Sequence, residues 1–172
     1  MQLRPIAALC IVLTTSIFSV THAASFTAGI NISEDVAPEK TGLLVYPDAT
    51  PIMKKKGDSE SVNIQFAFGE YGLNVVVAKL RSGDAPGKVA AFYRSELARF
   101  GAVLDCGNAE EAKTARAKDK KSKALTCEND KPRKDGMLYK VGSRDDQHIV
   151  EIKSVGDGSE FSLVHVNVRS PE

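Results

Sequence analysis

The chain has little net charge, few cysteines and histidines, and no long unbroken apolar run. Its 172 residues carry 23 basic and 22 acidic side chains, three cysteines and three histidines. The longest apolar stretch, Ile6 to Val20, is interrupted by Thr14, Thr15 and Ser16, and a membrane span needs about 20 consecutive apolar residues. No stable membrane span is therefore expected. A balanced charge gives no field to draw the whole protein onto nucleic acid or anionic lipid. Nucleic acid is thus not an expected partner.

Motifs of specific chemistry are missing as well. There is no Gly-x-Ser-x-Gly elbow and no Lys-Ser/Thr partner of Walker type near Gly136 or Gly142. Nor is there a CxxC pair, or a Cys/His cluster at zinc-ligand spacing. These absences remove the usual signatures of a serine hydrolase, a phosphate loop, a thiol redox centre and a structural zinc site. Asp145 and Asp146 adjoin Arg144 and read as solvated loop acids rather than a catalytic carboxylate pair. No catalytic set and no cofactor are expected.

What is present begins with a leader. Arg4, the apolar run, and small residues around Ala23 form the pattern of a secretory signal peptide over residues 1–23, cut after Ala23. Leu9 precedes Cys10 where a lipoprotein needs a small residue, so no lipid anchor is expected. The expected location is periplasmic or secreted. Removing Arg4 leaves equal numbers of basic and acidic side chains. The rest, of about 150 residues, is the size of one domain with one core.

Two cysteines remain after the leader, Cys106 and Cys127, and in an oxidising compartment such a pair forms a disulfide. Between them, residues 108–123 form a charged excursion. Asn108 and Glu111 are placed as a capping box, but the only apolar residues to bury are alanines, so any helix there is exposed. Its basic tip, Arg116, Lys118, Lys120, Lys121 and Lys123, reads as a solvated face, with docking to an acidic partner as the sharper alternative.

Periodicity then sets the architecture. Phe26, Ala28, Ile30 and Ile32 alternate in an N-terminal arm or edge strand over residues 24–40, ahead of a single domain over 41–172. Leu43 to Tyr46 reads as a strand stopped by Pro47, and Lys54 to Asp58 as a charged turn. Val62, Ile64, Phe66 and Phe68 alternate as the apolar face of a half-buried strand. Gly69 to Gly72 turns the chain into Leu73 to Leu80, whose consecutive Val75, Val76 and Val77 suggest burial on both sides. A helix is expected from Asp84 as N-cap to Gly101, with Val89, Phe92, Tyr93, Leu97 and Phe100 as its core stripe. Ala102 to Asp105 and Ala124 to Glu128 are short strand candidates.

Ile149 to Val155 and Phe161 to Val168 form a hairpin around Gly156-Asp157-Gly158. A two-residue Asp157-Gly158 turn pairs Val150 with His165, and a three-residue turn pairs Val150 with Val164, so the register stays open. In the first register His148 and His165 share a face and, with Asp146 or Glu151, make an incomplete metal site. Tyr46 and Tyr71 flank turns and read as rings covering the core. The expected class is α+β, an antiparallel sheet with one amphipathic helix on one face, with a β-sandwich plus one helix as the alternative.

Val45-Tyr46-Pro47-Asp48-Ala49, a hairpin, Asp84 to Val89, Phe92-Tyr93-Arg94, Glu96-Leu97 and Gly101 together resemble a module of exported bacterial proteins of unknown function. That family has a VYPGA-like motif followed by an FYRxEL helix. The resemblance spans Leu43 to Gly101, with a looser echo in Gln147 to Val168, and the family's usual glycine is Asp48 here. It implies a bacterial α+β domain and carries over no catalytic residue. The function expected is a non-enzymatic binding or interaction module, its partner an envelope protein or a small ligand. The alternatives are a periplasmic hydrolase, or a metal-binding envelope protein using His148 and His165.

Overall fold

Alternating apolar side chains and tight Gly-x turns make about half of the described residues strand. The computed structural model describes residues 28–53, 60–108, 124–127, 130, 132 and 134–171. The expected leader and its cut after Ala23, Phe26, the expected Lys54 to Asp58 turn, the rest of the expected capping box beyond Asn108 and the basic residues Arg116, Lys118, Lys120, Lys121 and Lys123 lie outside these residues.

In chain order the strands are β1 (Ala28–Glu34), β2 (Thr50–Pro51), β3 (Val62–Phe68) and β4 (Tyr71–Ser82), followed after the helix α1 (Pro86–Leu97) by β5 (Leu104–Asp105), β6 (Gly136–Gly142), β7 (Asp146–Val155) and β8 (Gly158–Arg169). The class is α+β. All pairings are antiparallel, in the order β1-β3-β4-β8-β7-β6-β5, with β2 beside β4. The N-terminal alternation thus forms an edge strand.

The helix runs from Pro86 and tightens into a 3-10 turn over Ala98–Phe100 before Gly101. It packs on β6, β7 and β8. Val89, Tyr93 and Leu97 are fully buried there against Leu80, Val150, Ile152, Phe161 and Leu163. At about 1.5–3 kcal/mol for each large apolar side chain removed from water, this layer is the main source of stability. Two members of the expected stripe differ: Phe92 is half-buried, and Phe100 lies at the margin of the core. The N-cap is Ala85, not Asp84. The Asp84 carboxylate instead accepts from the Tyr46 hydroxyl at 2.7 Å and from Lys88 Nζ at 3.0 Å. Tyr46 is a core residue, as expected, whereas Tyr71 is exposed.

Leu43 to Tyr46 is not a strand. Two of its backbone donors are taken by the helix and one by a hydroxyl: Leu44 N–H donates to the buried Glu96 carboxylate (3.1 Å), Tyr46 N–H to the Tyr93 hydroxyl (3.1 Å) and Leu43 N–H to the Thr41 hydroxyl (3.4 Å). An extended segment with its donors so satisfied needs no neighbouring strand. A turn over Tyr46–Ala49 follows, closed by Ala49 N–H donating to the Tyr46 carbonyl at 3.1 Å, with Asp48 at φ 56°.

The C-terminal hairpin adopts neither expected register. Val155 pairs with Gly158 and Val150 with Leu163, so the turn is Gly156-Asp157, with Gly156 at φ 58° as the first central residue of a II′-type turn. Gly158 is glycine for another reason: a Cβ there would collide with the Ser82 carbonyl of β4.

Disulfide Cys106–Cys127 is formed, with Cα atoms 5.4 Å apart. It packs with Leu104, Leu138 and Ile149 on the sheet face away from the helix. Ala102 to Asp105 contributes only the short β5, and Ala124 a single bridge to Ser143. The buried Lys140 ammonium pairs with Asp130 and donates to the Thr126 carbonyl at 3.2 Å, tying this segment to β6. β6 itself was not expected from the sequence.

Candidate functional site

The helix-side face of the sheet is graded along its strands. Beneath α1 lie the rows Leu80–Phe161–Ile152 and Ala78–Leu163–Val150–Tyr139. The next row is Val76–His165–His148–Val141, and beyond it comes Asn74–Asn167–Asp146. The core thus ends in a histidine row where the helix runs out.

His148 and His165 are direct cross-strand partners, not diagonal ones. Their rings stack with centroids 4.4 Å apart and planes 11° from parallel. His165 Nε2 donates to Asp146 Oδ1 at 2.7 Å. The Phe100 ring covers His148, centroid to centroid 4.1 Å. A Cβ on Gly42 would stand 3.2 Å from His148 Cε1, so the turn after Thr41 closes tightly over the imidazole. Burial lowers the pKa of His148 and the charge of neighbouring His165 lowers it further, against Asp146 and a backbone hydrogen bond with Thr41. Its Nδ1 is buried without a hydrogen-bond partner. Asp146, His148 and His165 each offer one ligand atom, all within 4.8 Å of one another. Glu151, the other acid considered, faces the opposite side of the sheet, two residues from Ile149 on β7. The helix-end Phe100 and the Thr41-Gly42 cover were not foreseen; only long-range packing brings them to the pair.

The opposite face of the sheet is divided in two. One end carries charges that pair across strands: Lys79 with Glu60 (2.9 Å), and Glu160 with Lys153 (2.7 Å) and Arg81 (3.8 Å). The other end is apolar. Cross-strand rows Ile30–Phe66–Leu73–Val168 and Ile32–Ile64–Val75–Val166 run side by side, and the Phe66 and Phe68 rings stack at 6.5 Å. The alternation in β3 was expected to mark a half-buried face, yet Phe66 is 40% exposed, Phe68 45% and Ile30 70%. Val76 is buried, but Val75 and Val77 are only half-buried on this outer side. Sequence alternation identifies an apolar face without saying whether the chain itself covers it.

No family model, curated protein or solved structure matches this chain. Its chemistry is therefore read from its own side chains. The Val45 to Ala49 segment and the helix are joined by Tyr46 N–H with the Tyr93 hydroxyl and by Leu44 N–H with the Glu96 carboxylate.

Proposed function

We propose that the protein is an exported, non-enzymatic interaction module whose apolar half-sheet docks on a second copy of the chain. The domain is then two-layered, with α1 covering one face and a partner covering the outer half of the other. The observation that carries this reading is the uninterrupted apolar surface of Ile30, Ile32, Ile64, Phe66, Phe68 and Leu73, each at least 37% exposed. Contiguous apolar surface of this extent marks interaction sites on soluble proteins.

Two arguments favour a second copy as the occupant. With Tyr71 and Val168 added, these side chains leave on the order of 600–800 Å² exposed, close to the ~800 Å² per partner of a standard interface. Moreover, the rows Ile30–Phe66–Leu73–Val168 and Ile32–Ile64–Val75–Val166 hold no charged side chain, so the same patch on two copies packs face to face about a twofold axis, a self-complementary contact that closes. Export is supported by the leader pattern and by a disulfide of the kind oxidising compartments preserve.

Sedimentation velocity across a dilution series tests the reading. A monomer–dimer equilibrium is expected, shifted to monomer by Phe66→Lys or Ile32→Lys, with an unchanged circular-dichroism spectrum in both. A native protein that stays monomeric at the highest concentration, or a dimer untouched by either substitution, overturns it.

A further inference from the structure

We infer that Asp146, His148 and His165 form a binding site for a divalent first-row transition-metal ion of the zinc or copper type. The site lies on the helix-side face, opposite the proposed docking surface, and is independent of it.

Three observations carry the inference. First, the ligand atoms of the three residues lie within 4.8 Å of one another, and two imidazoles with one carboxylate are the donor set that borderline cations prefer. Second, the ligands stand on paired strands: His148 and His165 are direct partners and Asp146 is paired with Asn167 in the next row of the same face. Their backbone positions are therefore fixed by the sheet. Third, His148 is only 6% exposed, and its Nδ1 is buried with no partner. A buried polar atom without a hydrogen bond costs free energy, and a metal ion would remove that cost. The backbone hydrogen bond with Thr41 supplies the outer contact that orients a ligating imidazole.

Asymmetric burial gives the site an inside and an outside. Phe100 and the Gly42 turn close over His148, while the side chains of His165 and Asp146 remain 23% and 59% exposed. An ion would enter past Asp146 and keep a solvent-facing position for water or an exogenous ligand. Entry requires two local changes: the proton of the His165–Asp146 hydrogen bond leaves the shared edge for Nδ1 or for solvent, and the partly exposed His165 ring turns out of its 11° stack on His148 so that both lone pairs point at one ion. The two donor atoms then separate from 2.7 Å toward the wider spacing set by metal–ligand bonds of about 2.0–2.2 Å.

Isothermal titration of the metal-free full chain with zinc chloride and with copper(II) chloride tests the inference, with thermal melting as a second readout. One equivalent is expected to bind and to raise the melting temperature. His165→Gln and Asp146→Asn should each weaken binding at least ten-fold while melting normally without metal, and Glu151→Gln, on the opposite face, should leave it unchanged. Both replaced side chains are partly exposed, so these variants keep the test open even if His148→Ala does not fold. Absence of binding by the native chain, or binding unaltered by His165→Gln, overturns the site. Neither result bears on the dimer equilibrium.

Discussion

At the scale of single residues, the most instructive position is Asp48, which holds a left-handed backbone conformation at φ 56° behind Pro47. A side chain there strains a turn that glycine would fit without cost. Asp48→Gly is expected to stabilise the protein by about 0.5–1 kcal/mol, seen as a higher denaturant midpoint at unchanged slope. Asp84 gives a pH-dependent counterpart. Hydrogen bonds from Tyr46 and then Lys88 hold its carboxyl below the ordinary 3.8. A depressed folded pKa means that the unfolded chain binds the proton more readily. The stabilisation is therefore complete above about pH 4 and is lost as the pH falls through the folded value. Acid titration of stability should be flatter below pH 4 in Asp84→Asn than in the native protein.

At the scale of elements, α1 acts as a clamp as well as a roof. Burial raises the pKa of the Tyr93 hydroxyl, so it stays protonated and uncharged while it accepts the Tyr46 N–H. Tyr93→Phe leaves that donor buried and unmatched and should cost about 1–3 kcal/mol in chemical denaturation. The disulfide plays the same part on the other face, where Cys106 and Cys127 cover Leu138. With a sequence separation of 21, replacing both by serine should cost on the order of 3 kcal/mol, read as a lower melting temperature.

Elements were legible in the sequence where their signals are local. The β3–β4 and β7–β8 hairpins follow from alternation and Gly-x turns, and the limits of α1 from Pro86 and Gly101. Signals that depend on distant partners were not legible. Leu43 to Tyr46 reads as a strand from its apolar run, yet it is none, because the Leu44 and Tyr46 donors go to helix side chains. β6 was hidden because Lys140, in mid-strand, is buried against Asp130 rather than exposed. The final hairpin slipped because Gly158, a natural turn residue, is reserved for its approach to Ser82. The candidate metal site shares that history: His148 and His165 were recognisable as residues, but the register decides that they stack.

At the scale of the whole molecule, a sheet with one apolar half-face uncovered is a compromise between folding and association. Phe66→Lys, offered above as a probe of self-association, should leave chemical stability within about 0.5 kcal/mol of the native value, as expected for a partly exposed position. It should also reduce light scattering during concentration. A loss of several kcal/mol would mean that the face is covered by the chain itself.

The order of the strands carries one more consequence. β8 follows every other strand in sequence, yet it lies in the middle of the sheet, bonded to β4 on one side and β7 on the other. Until it is threaded into place, no strand pairing among the described residues joins the β1-β3-β4 group to the β5-β6-β7 group. Closure waits on contacts remote in sequence, which are slow to form. The polypeptide thus stays open while most of it is already synthesised, the condition in which a chain can still be passed unfolded through a narrow channel.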